Sequence, residues 1–179
     1  MNKIDAIKTL KLWDKQSKYV FTKHDLEKLF PNDSPKTLTE GLNRLVKDSI
    51  LQRVCRGIYV NRDAQSFDSH IIEHIAKALR RGKYNYLSLE SALSEYGVIS
   101  QILMDRITVV TTGRKGIYKT PYGTIEFTHT KRSVADIVNH IQTIKDHPLR
   151  IASKDIAWRD LKRVGRNTNL VNQEELHSE

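Results

Sequence analysis

The sequence has one cysteine, Cys55, and no run that approaches the roughly 18 apolar residues of a membrane-spanning helix. A single cysteine excludes an intramolecular disulfide and agrees with a reducing cytoplasm. The first residues, Met1 to Asp5, lack the apolar stretch of a secretory signal. We therefore expect a cytoplasmic protein with no membrane partner.

Acidic residues are in short supply. There are 21 Asp and Glu against 30 Lys and Arg, which gives a net charge of +9. This charge favours an anionic partner such as nucleic acid, although many soluble proteins are simply basic. The excess is +5 in residues 1–64 and +4 in residues 65–179, so no basic tail carries it. A chain of 179 residues that is 39% hydrophobic and 28% charged is globular, with one domain or two small ones.

A polar segment, residues 61–66, separates a strand-like run from a helix-like run and predicts a boundary between domains 1–64 and 65–179. Before it, apolar residues from Ile4 to Trp13 recur at helical spacing and predict a first helix. Thr22 and the Ser34-Pro35 pair are start signals for a second and a third helix. Two β-prone runs, residues 50–54 and 57–60, then predict a hairpin with its turn at residues 55–57.

Three short helices followed by a hairpin are the layout of a winged helix-turn-helix, in which the third helix enters the major groove. At about 100° per residue, one polar stripe on that helix lies opposite its leucines. Lys and Arg suit phosphate or guanine, Asn suits adenine, and Glu suits cytosine. Arginines of the hairpin and a lysine at the start of the second helix suit the DNA backbone. The predicted DNA-binding residues are Lys23, Lys36, Thr37, Glu40, Asn43, Arg44, Lys47, Arg53 and Arg56. Any amphipathic surface helix has a polar stripe, and winged helices also dock proteins.

The second part predicts a mixed α+β domain with antiparallel strands and no βαβ repeat. Ser88 is expected to cap a short helix that stops at Gly97. Strands are expected at residues 107–112, 116–119 and 124–129, with a hairpin turn at Gly113-Arg-Lys-Gly116. Two further helices are expected, over residues 133–145 and 153–165.

Several segments, in this order, resemble the AbiEi family of antitoxins. Residues 86–97 resemble the family's "SLESAL…G-I" signature, and residues 119–127 resemble its "TPFGT-EY" hairpin. Residues 160–171 are similar to the closing "DL…GRN…LV", and residues 56–60 fit its wing. The resemblance covers nearly the whole chain. The "PEKAL-D" helix of larger relatives is missing, and the helix expected at 133–145 lies in its place.

This resemblance implies the antitoxin of a type IV (abortive infection) toxin–antitoxin pair. Such antitoxins repress their own operon through the N-terminal winged helix and neutralise a nucleotidyltransferase-like toxin through the second domain. The implied partners are operator DNA and that toxin, with direct toxin contact and self-association on DNA left open. A protein-docking adaptor that holds the toxin directly is the alternative.

A third hypothesis is a metal-dependent hydrolase, because His70-Ile-Ile-Glu-His74 matches the H-x-x-E-H string of inverted zinc peptidases. Lys77 and Arg81 lie on the same helix face and would repel a cation. We expect a solvated helix face there, with Ile71, Ile72, Ile75 and Leu79 packing inward. The basic neighbours of Cys55 would lower a thiol pKa, yet a half-buried strand cysteine is the simpler interpretation. The sequence therefore predicts a non-enzymatic protein with no catalytic residue, cofactor or metal.

Overall fold

The computed structural model describes residues 1–100 and 105–178. The chain divides into two compact units, Met1–Ile71 and Ile72–Glu179. Both units contain helices and strands, so the protein is α+β, as predicted. None of the helices in these described ranges is long and apolar enough to cross a membrane.

The N-terminal unit has three helices and three strands. Its elements in chain order are α1 (Lys3–Asp14), β1 (Val20–Thr22), α2 (Lys23–Leu29), α3 (Pro35–Lys47), β2 (Gln52–Cys55) and β3 (Ile58–Val60). The strands form an antiparallel sheet in the order β1-β3-β2, so the predicted hairpin is present and β1 extends it. The apolar core of this unit comprises Ala6, Leu10, Phe21, Leu26, Leu38, Leu42, Leu45, Leu51 and Tyr59.

The predicted helix starts are confirmed by their caps. The Thr22 hydroxyl accepts a hydrogen bond from the Asp25 amide at 3.0 Å, and the Asp25 carboxylate accepts one from the Thr22 amide at 2.8 Å. The Ser34 hydroxyl accepts from the Thr37 amide at 3.2 Å. These bonds satisfy donors that the first turn of a helix leaves without intrahelical partners.

The apolar spacing in α1 was misleading at one position. Ile4 is 61% exposed, whereas Ala6 and Leu10 are buried. Leu12 is also exposed, so α1 carries apolar residues on both faces. Periodicity alone cannot show which of two apolar faces is the inner one.

The segment after β3 stays attached to the N-terminal unit beyond the predicted boundary at 64/65. The Asp14 carboxylate accepts hydrogen bonds from the Gln65 amide (2.8 Å), the Ser66 amide (3.0 Å) and the Ser66 hydroxyl (2.6 Å). The Tyr19 hydroxyl donates to the Asp68 carboxylate at 2.9 Å. These bonds explain why the division falls after Ile71.

The C-terminal unit is built around one mixed sheet. Its elements are α4 (Ile71–Leu79), β4 (Asn85–Leu87), α5 (Leu89–Glu95), β5 (Arg106–Thr111), β6 (Gly116–Thr120), β7 (Gly123–His129), α6 (Val134–His140), β8 (Ile141–Gln142), β9 (Arg150–Ala152), α7 (Lys154–Val164), a 3-10 turn (Thr168–Leu170) and α8 (Gln173–His177). The strand order is β6-β7-β5-β4-β9-β8. Antiparallel strands are present, as expected, in the pairs β4 with β5, β6 with β7 and β8 with β9, and two parallel pairs, β5 with β7 and β4 with β9, accompany them.

Two local expectations for this unit are wrong. Residues 113–116 do not form a hairpin turn, because β7 lies between β5 and β6 in the sheet. The helix expected at 133–145 ends at His140, where Ile141 turns extended and begins β8. The β-branched Ile141, Thr143 and Ile144 favour extended backbone over continued helix. The helix expected at 153–165 is present as α7 and ends at Gly165.

Candidate nucleic-acid interface

Helix α3 separates an apolar inner face from a polar outer face. Leu38, Leu42 and Leu45 are at most 3% exposed and pack into the core of the N-terminal unit. On the opposite side, the stripe predicted from the sequence is exposed: Lys36, Glu40, Asn43 and Lys47. Burial of the leucines therefore fixes the rotation of the helix and turns the stripe toward solvent.

The stripe residues are available for an external partner. None of the four forms a side-chain hydrogen bond or ion pair with another residue of the described ranges. They include a donor-rich ammonium at each end, one carboxylate and one amide that offers both a donor and an acceptor. This combination can contact phosphate oxygens and base edges together.

The two residues that flank the stripe are partly engaged within the protein. Thr37 Oγ1 lies 2.9 Å from Ser34 Oγ, so its hydroxyl belongs to the N-cap of α3. The Arg44 guanidinium reaches the Met1 carbonyl at 3.5 Å, a long contact on an exposed side chain. Arg44 can leave this bond at little cost, whereas Thr37 would give up part of a cap.

The β2–β3 hairpin carries the remaining predicted contacts. Arg53 and Arg56 are exposed on it, and Gly57 makes its turn with a φ of +76°, a conformation that costs glycine little. The Lys23 amide donates to the Gly57 carbonyl at 2.8 Å. This bond places the start of α2 beside the hairpin turn, so Lys23 and Arg56 lie on adjoining backbone.

The C-terminal end of α3 lies in a positive local field. Asp48, directly after the helix, accepts a 2.7 Å hydrogen bond from the Lys3 ammonium. That bond lowers the pKa of Asp48, and the charges of Lys47 and Arg44 lower it further. Three cations, Lys3, Arg44 and Lys47, thus surround one carboxylate at this end of the helix, so the local side-chain charge is positive.

Cys55 is half-buried on β2, as expected for a strand cysteine. Burial raises the pKa of its thiol, and the nearby charge of Arg53 only partly opposes that effect. The thiol is therefore protonated at neutral pH and is a poor nucleophile.

Glu73 is the acid of the H-x-x-E-H string. The sequence predicted a solvated helix face for this string, but Glu73 is buried. It is 5% exposed, and its carboxylate lies 2.8 Å from the His147 ring and accepts from the Leu149 amide at 3.2 Å. A carboxylate and an imidazole are both potential ligands of a divalent cation. These two are bonded to each other, so a cation would have to displace that bond. The contacts of Glu73 with His147 and Leu149 connect α4 to the segment that precedes β9.

Ser88 does not cap α5 through its side chain. Its hydroxyl donates instead to the Asp160 carboxylate of α7 at 2.7 Å, and both residues are fully buried. The other oxygen of Asp160 lies 2.9 Å from the Arg132 guanidinium, in an ion pair not aligned as a hydrogen bond. A serine and an aspartate buried in this way hold α5 against α7 and are closed to a substrate.

A second polar cluster of the C-terminal unit was not anticipated from the sequence. The Arg166 guanidinium holds Glu90 at 2.7 and 3.3 Å and Glu126 at 2.6 Å. Arg106 also contacts Glu126, at 3.1 Å, and Asn167 donates to Glu90 at 2.9 Å. The carboxylates are saturated by protein donors, so this cluster stabilises the fold.

Comparisons with known proteins support the fold alone. No family model and no curated protein sequence matches this chain. The crystal structure of the RV2827C protein from Mycobacterium tuberculosis is similar, with a TM-score of 0.59 and 14% sequence identity. The match covers 87% of this chain and 58% of that protein's chain. This chain therefore spans less than two thirds of the length of that structural neighbour.

Proposed function

We propose that the protein is a DNA-binding transcriptional repressor and that the N-terminal unit is its winged helix-turn-helix, with α3 as the recognition helix. The observation that carries the proposal is the outer face of α3, where Lys36, Glu40, Asn43 and Lys47 are exposed and have no side-chain partner among the residues that the structure describes. The arginines of the hairpin and Lys23 beside its turn supply further backbone contacts. A repressor of this kind acts in the cytoplasm on its own operator.

Asn43 is predicted to contact a base edge, and Arg56 is predicted to contact a phosphate. Replacing each residue in turn therefore distinguishes sequence-specific recognition from binding to the DNA backbone. Asn43→Ala removes an amide suited to a base edge and should cost about 1–3 kcal/mol on the operator and little on random DNA. Arg56→Ala removes a phosphate contact, so it should weaken both and reduce the salt slope by about 1. Fluorescence anisotropy with the upstream region of the gene, over a series of salt concentrations, measures both quantities.

Two variants provide matched controls. Asn139 is exposed on α6 of the C-terminal unit, and Arg62 is exposed after β3. Asn139→Ala and Arg62→Ala should leave operator affinity unchanged within about twofold. Equal losses on operator and random DNA for Asn43→Ala would refute the assignment of α3 as the recognition helix. An operator affinity no greater than that for random DNA would refute specific repression.

The antitoxin role belongs to the same proposal and is supported by the AbiEi-like motifs of the sequence. In it, the C-terminal unit neutralises a nucleotidyltransferase-like toxin encoded beside this gene. Co-expression of the full chain with that toxin should restore growth, and a variant with Asn43→Ala and Arg56→Ala should still restore it, because neutralisation is assigned to the other unit. Failure of the intact chain to restore growth would remove the antitoxin role and leave the repressor role standing.

A further inference from the structure

Three side chains that are common metal ligands meet at the start of helix α4. His70 directly precedes α4, Glu73 lies three residues later in its first turn, and His147 lies between β8 and β9. One donor atom of each, an imidazole nitrogen or a carboxylate oxygen, lies within 4.8 Å of the other two. We call this group the His-Glu-His cluster.

Glu73 is the buried member of the cluster, and both of its carboxylate oxygens are held. Oε1 lies 2.8 Å from His147 Nδ1, and Oε2 accepts a hydrogen bond from the Leu149 amide at 3.2 Å. Carboxylates that ligate metals are ordinarily hydrogen-bonded in this way, and the second bond orients the oxygen that faces the ion. The Leu149 amide would keep that role after an ion had replaced the contact between Glu73 and His147.

The spacing of the donors is close to that of a zinc site. Zinc holds nitrogen and oxygen ligands at about 2.0–2.2 Å, so the ligand atoms of a tetrahedral site lie about 3.4 Å apart. The donors of the cluster would have to approach by at most about 1.4 Å, and the 2.8 Å contact would open by about 0.6 Å. His70 and His147 are half-buried, so the cluster can be reached from solvent.

The donor set indicates the kind of ion. Two imidazoles and one carboxylate are a set that binds zinc, with water in the remaining position. Calcium and magnesium prefer oxygen ligands throughout, whereas imidazole favours zinc and its neighbours among the transition metals. We propose that the His-Glu-His cluster binds one divalent transition-metal ion of the zinc type, with His70, Glu73 and His147 as its protein ligands.

This assignment differs from the one that the H-x-x-E-H string suggests. In the string, both histidines bind the metal and the glutamate acts as a base. His74 is not a member of the cluster, and His147, which is 74 residues from Glu73, takes its place. Glu73 becomes a ligand, so the proposed ion connects the start of α4 to the segment before β9 and is not assigned a hydrolytic role.

Lys77 limits the affinity of the site. Its side chain is exposed, and its ammonium donates to the Pro148 carbonyl at 3.5 Å, next to His147 in the chain. An exposed ammonium repels a cation only weakly, because solvent screens it. Lys77→Gln should therefore tighten metal binding about two- to fivefold.

Calorimetric titration of the untagged full chain with Zn²⁺ tests the proposal. The intact chain should bind one ion in a saturable way. His70→Asn and His147→Asn should each weaken this binding at least about tenfold, since each removes a ligand. Both changes leave the buried carboxylate of Glu73 in place, and circular dichroism shows that each variant is folded.

Two other histidines provide matched controls among the seven of the chain. His74 is the second histidine of the string, and His140 lies 3.1 Å from the Asp136 carboxylate on α6. His74→Asn and His140→Asn should leave Zn²⁺ affinity unchanged within about twofold. The first control separates the cluster from the string, and the second separates it from an ordinary surface pair of histidine and carboxylate.

A measurement on the unaltered chain does not depend on the folding of any variant. Co²⁺ occupies zinc sites and is paramagnetic, so it broadens the magnetic resonance signals of nearby amides. In the 15N-labelled full chain, one equivalent of Co²⁺ should remove the Leu149 amide signal, because this amide bonds the ligand Glu73. An excess of Zn²⁺ should restore the signal.

Three results would overturn the proposal. The first is the lack of saturable binding of one Zn²⁺ per intact chain. The second is an equal loss of affinity in His74→Asn and His147→Asn, which would move the ion away from the cluster. The third is a Leu149 amide signal that Co²⁺ leaves unchanged. None of these outcomes depends on whether the protein binds DNA.

Discussion

The buried contact between Ser88 and Asp160 gives the sharpest test of what holds the C-terminal unit together. Asp160 is fully buried, accepts from the Ser88 hydroxyl at 2.7 Å and lies 2.9 Å from the Arg132 guanidinium. Asp160→Ala leaves the buried hydroxyl without an acceptor, at about 1–3 kcal/mol. It also removes one partner of Arg132, which keeps the Asp136 carboxylate at 3.5 Å and the Tyr86 hydroxyl at 3.4 Å. Loss of one member of a buried ion pair costs about 3–5 kcal/mol, but Arg132 keeps 20% exposure and can turn to water.

We therefore expect Asp160→Ala to lower the free energy of unfolding of this unit by about 3–4 kcal/mol. Ser88→Ala should cost only about 1–2 kcal/mol, because Asp160 retains Arg132. The double variant should cost about 1–2 kcal/mol less than the two single losses together, since the orphaned hydroxyl is then gone.

Urea unfolding followed by tryptophan fluorescence measures these values. The chain has two tryptophans, Trp13 on α1 and Trp158 on α7, one in each unit. In a Trp13→Phe background, Trp158 alone reports the C-terminal unit. Two results would refute the stabilising role of the Ser88–Asp160 contact. One is a double variant whose loss of unfolding free energy equals the sum of the two single losses, and the other is a loss below about 1 kcal/mol for Asp160→Ala.

Two further predictions concern the same unit. Gly123 has a φ of +129°, and an added Cβ would lie 2.5 Å from the Asp105 carbonyl oxygen. Gly123→Ala should therefore lower the free energy of unfolding by about 2–4 kcal/mol in the same assay. A variant as stable as the wild type would contradict this geometry. Burial acts to raise the pKa of Glu90, but hydrogen bonds from Arg166 and Asn167 outweigh it and hold the pKa below the ordinary 4.5. Because the folded-state pKa is depressed, this stabilisation is present above 4.5 and is lost as the pH falls through the lower value. The loss caused by Glu90→Gln should therefore shrink on acidification below 4.5, and a pH-independent loss would contradict the sign.

The local features of the N-terminal unit could be predicted because the information lies within a few residues. Thr22 and Ser34 act as caps through bonds to amides three residues ahead. The outer face of α3 follows from the spacing of its leucines. The misplacement of Ile4 shows the limit of this reasoning, because α1 presents apolar side chains on two faces and only the folded core distinguishes them.

Contacts between distant segments could not be predicted in this way. Ser88 stands in a sequence context that favours capping, yet its hydroxyl bonds Asp160, 72 residues away. Residues 113–116 connect two strands that are not neighbours, because β7 inserts between them. In both cases the local sequence favours one structure, but an interaction with a distant segment of the chain favours another structure more strongly.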